Sequence, residues 1–275
     1  MKRFLCSACV PLLLAGCLQT VYSSERVAAH SPGGEKTAVS RTAAANERSV
    51  RLFPKPLRSS RFTISAAKNT QKTQEEKNNK TDWQPLFDGE SLEGWSIPVY
   101  GGDGEVDIQE GNIVIGRGEM MTGIRYEREF PTIGYEVQYE AQRTQGYDFF
   151  AACTFPAGKN FCSFVNGGWG GGTIGISSIN GFDASENETN SYFDFREKLW
   201  YRFHIRVMSD HIQVWITPQD NEGHWGTEKS VVELKIDEDT VLSTRLEMDQ
   251  YKPFGFSTWS TEGRLRKIEY RAVEK

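Results

Sequence analysis

The chain has 275 residues, 38% hydrophobic and 25% charged, which is enough apolar material for one sizeable globular domain plus appended segments. Its 32 basic and 37 acidic residues leave a net charge of −5, but residues 18–80 carry 12 and 5 (net +7) while residues 81–275 carry 18 and 32 (net −14). All seven tryptophans and 23 of the 26 glycines also fall in the acidic part, whose charge excludes a nucleic-acid role, because phosphate binding needs a basic face.

Lys2 and Arg3 precede an apolar run from Phe4 to Ala15 that ends in Leu14-Ala15-Gly16-Cys17, the three parts of a secretory signal. The run is shorter than the roughly 20 residues of a spanning helix. Its end resembles the bacterial lipoprotein box, which would make Cys17 the acylated mature N-terminus. The alternative is an ordinary signal peptide cut at a nearby small residue. Leu18 follows the cysteine, and in such lipoproteins a residue other than Asp favours the outer membrane. The expectation is an exported chain held in the cell envelope, at the outer membrane or the periplasmic face, by an N-terminal lipid.

From Leu18 to about Lys80 the residues are mainly Ser, Thr, Ala, Asn and charged types, too polar to offset the entropy of folding. This reads as a disordered tether. Its +7 charge either favours acidic lipid or anionic polysaccharide, or belongs to a merely solvated spacer.

After Trp83 the apolar positions alternate with period two in short segments bounded by Gly, Asn, Asp and Pro: Val106 to Ile108, Ile113 to Ile115, Tyr135 to Ala141, Ile174 to Ile176, Trp200 to Val207, Ile212 to Ile216 and Phe254 to Ser257. Helical periodicity is almost absent. Residues 81–275 are therefore expected to form an all-β, antiparallel two-sheet jelly-roll sandwich. A monomer is expected.

The run Cys153-Thr-Phe-Pro-Ala-Gly-Lys-Asn-Phe-Cys162 is symmetric about Ala157-Gly158, so a hairpin centred there would set the two cysteines opposite each other. Export would permit a disulfide between Cys153 and Cys162; two reduced, buried thiols are the other reading. The histidines show no HxxxH or HxH spacing and there is no CxxC pair, so structural zinc is not expected.

Asn166-Gly-Gly-Trp-Gly-Gly-Gly-Thr173 lacks the Lys-Ser/Thr of a phosphate loop. Read as a strand stripped of side chains, it would let a flat ligand approach, with Trp169 as a face for a sugar ring; the alternative is tight sheet packing with Trp169 in the core. Asp183, Glu186 and Glu188 follow within six residues. Such acids bind a cation such as Ca²⁺, share a raised pKa suited to proton transfer, or point into water. Asp148, before Phe149-Phe150 at the start of an expected strand, is placed at a sheet edge or cleft rim.

Leu86-Phe-Asp-Gly-Glu-Ser-Leu-Glu-Gly-Trp95 resembles the opening of the 3-keto-disaccharide hydrolase domain family, Leu-Phe-Asp-Gly-x-x-Leu-x-Gly-Trp. Phe130 to Glu140, Trp200-Tyr-Arg-Phe-His-Ile205 and Gly255 to Tyr270 also fit, so the resemblance covers about residues 83–272. It implies a concanavalin-like sandwich and an exported, glycoside-processing hydrolase or lyase acting on 3-keto-glycosides or related sugars. In that chemistry a C3 ketone acidifies the C2 hydrogen, a base removes it, the C1 oxygen leaves and water adds. Many members carry Asn-Ser-Gly where this chain has Gly146-Tyr-Asp-Phe-Phe150, and the glycine-rich stretch with Asp183 to Glu188 stands in place of a second family motif. The site is thus divergent or lost, and a non-catalytic, lectin-like glycan-binding module is the alternative. By position, Asp148, Asp183, Glu186 and Glu188 are the candidate base or cation ligands, Trp169 the sugar platform, and Arg117, Arg125 and Asn166 the candidate ligand-binding partners.

Overall fold

The computed structural model describes residues 82–273. The signal segment, the Cys17 lipidation site and the tether lie outside the described residues. Fifteen strands follow in order: β1 (Gln84–Pro85), β2 (Trp95–Ser96), β3 (Val106–Gln109), β4 (Asn112–Ile115), β5 (Met121–Tyr126), β6 (Tyr135–Gln145), β7 (Ala152–Ala157), β8 (Asn160–Gly167), β9 (Thr173–Ser177), β10 (Ser191–Tyr192), β11 (Trp200–Val207), β12 (His211–Pro218), β13 (Lys229–Lys235), β14 (Phe254–Trp259) and β15 (Glu262–Ala272). Every segment read as alternating in the sequence is a strand.

The strands form two antiparallel sheets, the layers of a concanavalin-like sandwich. The first runs β13-β12-β11-β6-β15-β4-β3, with β1 also paired to β15; the second runs β10-β9-β8-β7-β14-β5-β2. Alternation decides what lies between them. Tyr135, Val137, Tyr139 and Ala141 of β6 and Tyr201, Phe203, Ile205 and Val207 of β11 point inward from the first sheet, against Cys153, Phe155, Phe164, Phe254 and Phe256 from the second. Their rings interlock: Phe130 stacks on Phe254 at 4.4 Å and Tyr139 on Phe203 at 5.0 Å between centroids.

The family-like opening is a clasp on this core. Leu86, Phe87 and Trp95 are buried, the Trp95 indole donates to the Leu86 carbonyl at 2.9 Å, and the Asp88 carboxylate accepts the N–H groups of Glu90 and Ser91 at 2.8 Å. Gly94 has φ +84°, a backbone conformation that side chains rarely adopt, which accounts for glycine beside the tryptophan.

The structure corrects two expectations. The β7–β8 hairpin turns at Gly158-Lys159, so Ala157 faces Asn160, Phe155 faces Cys162 and Cys153 faces Phe164. The two cysteines are diagonal neighbours and both are free, buried thiols. Burial pushes both thiols up, Cys153 further by the neighbouring Cys162. The glycine-rich stretch, in turn, is not a strand throughout: β8 ends at Gly167 and Gly168–Gly171 make a tight turn, with Trp169 at φ 47° and Gly170 at φ 92°.

Candidate functional site

The outward face of the second sheet carries what the core-facing alternation leaves behind. Because Phe254 and Phe256 point in, Gly255, Ser257 and Trp259 point out; by the same rule Met121, Thr154, Ser163 and Val165 are on the outer side. A 3-10 turn, Leu246–Tyr251, lies across this face. Under it Met121, Ala152, Met248 and Tyr251 form a second, smaller core, edged by Tyr100, Phe149 and Trp259. Thr154 and Ser163 share a hydroxyl hydrogen bond of 2.8 Å, and Ser257 Oγ donates to Met248 Sδ at 3.2 Å, so the polar groups beneath the turn are satisfied.

Beside this covered strip a cavity of about 230 Å³ opens. Phe149, Trp169, Trp259, Met121, Val165 and Met248 supply its apolar walls, and Asp148, Arg245 and Glu247 its charged groups. Aromatic faces with a few convergent polar atoms are the make-up of a site for a small polar ring.

Asp148 is held by the loop between β6 and β7. Its N–H donates to the buried Thr261 hydroxyl at 3.1 Å, and its own Oδ1 accepts the Phe149 N–H at 2.8 Å. Burial raises the carboxyl above the usual carboxylate range, against the pull of the Phe149, Gly170 and Trp169 N–H groups and the Arg143 charge. Trp169 keeps 45% of its surface exposed at the tip of its turn. That turn is pinned from below by Arg143, whose Nη1 donates to the Gly171 carbonyl at 3.2 Å and whose Nη2 donates to the Phe195 carbonyl at 2.5 Å.

Asp183 does not line the cavity but reaches it through another residue. Its Oδ1 accepts from the Ser177 and Ser178 hydroxyls at 3.2 and 3.1 Å, and its Oδ2 pairs with Arg245 on the cavity wall. Arg245 also lies 3.5 Å from Glu247, whose carboxyl is lowered by its own backbone N–H and by that guanidinium.

The remaining candidates are placed elsewhere. Glu186 and Glu188 are exposed in the loop after β9, and Arg117 is exposed after β4; none of the three lines the cavity. Arg125 is occupied by Glu127 at 2.6 Å and by the Gln250 carbonyl at 3.4 Å. Asn166 is fully buried, and its Oδ1 accepts the Ala151 N–H at 3.1 Å, so it braces the segment that follows Asp148.

Arg245, Glu247 and Trp259, with the apolar Met121, Val165 and Met248, are cavity residues that sequence reasoning missed. Trp259 was within reach of it, since an aromatic three residues beyond an inward Phe256 must face out on a strand. Arg245 and Glu247 sit in an irregular stretch with no periodic signal.

Among the described residues, the one group of three or more potential metal ligands within mutual reach is Asp220, Glu222 and His224, all exposed and away from the cavity. Asp148 and Glu247 of the cavity are not part of that group.

A profile of the 3-keto-alpha-glucoside-1,2-lyase-like domain matches residues 82–271. No curated protein matches the chain. Among solved structures, peanut lectin is similar at 11% identity and TM-score 0.46, over 70% of this chain and 97% of that one. The VIP36 exoplasmic/lumenal domain, in a form bound to Ca²⁺ and Man3GlcNAc, is similar at 8% identity and TM-score 0.45, over 70% and 88%. The catalytic domain of a glycoside hydrolase family 131 protein from Coprinopsis cinerea is similar at 11% identity and TM-score 0.37, over 60% and 70%.

Proposed function

The chain belongs to the 3-keto-alpha-glucoside-1,2-lyase-like domain family, and on that premise we propose that its cavity takes a sugar ring and breaks a glycosidic bond by elimination at a 3-keto-glycoside. The observation that carries this reading is the Asp148 carboxyl, raised by burial, in a cavity walled by Trp169, Phe149 and Trp259. A carboxyl shifted upward is the better base near neutral pH. In this reading Asp148 takes the C2 proton and Arg245, fixed between Asp183 and Glu247, faces the oxygen that gains charge. The proton that Asp148 takes is the one on hand for the leaving oxygen, since Glu247, lowered by its own N–H and by Arg245, stays ionised. Trp169 and Trp259 hold the ring.

A second reading is favoured by one observation: Glu186 and Glu188 face water, so the acids expected to crowd the site do not. It is glycan binding without turnover. We further propose, from the sequence of residues 1–80, an exported monomer anchored through Cys17.

The test is incubation of the purified chain with glycosides and their 3-keto derivatives, with products followed by mass spectrometry. Release of aglycone from the keto sugars, lost in Asp148→Asn, supports the lyase. Saturable binding with no product supports the lectin-like module.

A further inference from the structure

The outward face of the first sheet is built unlike the rest of this acidic domain. On neighbouring strands β11, β6 and β15 the register sets Arg206, Glu136 and Arg271 in one row and Arg202, Glu140 and Arg266 in another. Both carboxylates are buried, Glu136 fully and Glu140 to 1% exposure, and each is gripped from both sides. Arg206 Nε and Arg271 Nε reach Glu136 at 2.5 and 2.6 Å, while Arg202 Nη2 and Arg266 Nε both reach Glu140 at 2.7 Å. Lys267 adds a third cation on Glu140 at 3.3 Å.

Every one of these guanidiniums also lies over an indole. Arg206 covers Trp215 at 5.6 Å, Arg271 covers Trp83 at 4.5 Å, Arg202 covers Trp225 at 4.3 Å and Arg266 covers Trp200 at 3.9 Å. The stacks fix the planes of the guanidiniums, and the glutamates fix one edge of each.

Two features exceed what neutralising two glutamates requires. The three strands present Arg202, Arg206, Arg264, Arg266, Lys267 and Arg271 against Glu136, Glu140, Glu262 and Glu269, an excess of two positive charges within a part of the chain whose net charge is −14. The carboxylates engage Nε and Nη2; among the described residues no bond is found from Nη1 of the four stacked arginines, whose side chains stay 30 to 36% exposed. Preset guanidinium edges of this kind are suited to bidentate capture of carboxylate or sulfate.

We propose that this face is a second binding surface, for a linear anionic polysaccharide bearing carboxylate or sulfate groups. The two arginine rows are four residues apart along β6, about 13 Å at strand rise, so anionic groups repeated along a chain span both. A flat anionic membrane is the poorer fit. It would meet the acidic surroundings of the patch as well as the patch, whereas a flexible polymer follows the cationic strip alone. This surface is on the opposite sheet from the cavity and does not depend on what the cavity does.

The test uses the full-length chain and an arginine-selective dicarbonyl reagent, with labelling read at each arginine by mass spectrometry, so that the basic residues before position 81 are scored separately. Polygalacturonate is expected to suppress labelling of Arg202, Arg206, Arg266 and Arg271 about fivefold, with neutral dextran doing nothing and added salt reversing the protection. Glu140→Gln, which removes one competing carboxylate, is expected to tighten polygalacturonate binding. The proposal is overturned if the four arginines label equally with and without polygalacturonate, or if vesicles rich in an anionic phospholipid protect them and polygalacturonate does not.

Discussion

Arg245 bonds Asp183, 62 positions earlier in the chain, and through that bond the loop after β9 is tied to the wall of the cavity. Replacing Arg245 by Met leaves Asp183 with only its two serine donors and frees Glu247. A stability loss of about 1 kcal/mol is expected, since the pair is partly exposed, together with weaker ligand binding. Thermal unfolding beside a ligand titration separates the two effects, and Arg245→Lys is expected to recover more of the stability than of the binding.

Asp148→Asn keeps the size of the side chain and removes its capacity to take a proton. If the elimination chemistry holds, turnover falls by about 10² to 10⁴ while binding is little changed. The pH profile offers an independent check. Burial holds the Asp148 proton to higher pH than usual for an aspartate, so the acid limb of the rate profile should fall above the ordinary carboxylate range.

Trp169 contributes an exposed ring and little to the core, so Trp169→Ala should leave the unfolding temperature nearly unchanged. Loss of one stacking face costs roughly 1 to 2 kcal/mol, about tenfold or more in affinity. An equal loss of stability would place the ring in the packing instead.

Acid should weaken the domain through Glu136. Its burial opposes ionisation, but hydrogen bonds from His204, Arg206 and Arg271 win and lower the carboxyl from 4.5 to about 2. A carboxyl whose folded pKa is depressed stabilises the fold above its unfolded value and loses that contribution as pH falls through the folded one. The window is therefore pH 4.5 down to about 2, and the contribution is on the order of 3 kcal/mol. Denaturant titrations across that window check it, and Glu136→Gln should flatten the dependence while lowering stability at neutral pH.

Cys153 and Cys162 should react with a thiol reagent only after unfolding, and the mass of the folded chain should be the same with and without reductant. Both thiols are buried and their protons are held well beyond the usual range.

The sandwich was legible because it is written in a local code. Each of Tyr135 to Ala141 and Trp200 to Val207 states its own inward and outward residues, and no knowledge of the partner strand is needed. The site was legible only in part. Asp148 and Trp169, which the structure sets on the cavity wall, stand out through their neighbours in sequence, but the contact between Arg245 and Asp183 exists only once distant segments have been brought together. The cysteine register shows how small the margin is. Moving the centre of a hairpin from Ala157-Gly158 to Gly158-Lys159 shifts pairing by two residues and turns facing partners into diagonal ones. The four indoles under the arginines had no signal either, because Trp83, Trp200, Trp215 and Trp225 are scattered over the chain.

The last two strands occupy interior places in both layers. β14 lies between β7 and β5, and β15 lies between β6 and β4 while also holding β1. A ribosome that has released everything up to residue 250 has therefore emitted two sheets, each with a missing middle, and no stable half can close early. Synthesis is vectorial but this fold is not: neither sheet is continuous until β14 and β15 have taken their interior places. Nonsense and frameshift changes that remove β14 and β15 should be as damaging to the domain as those before β2.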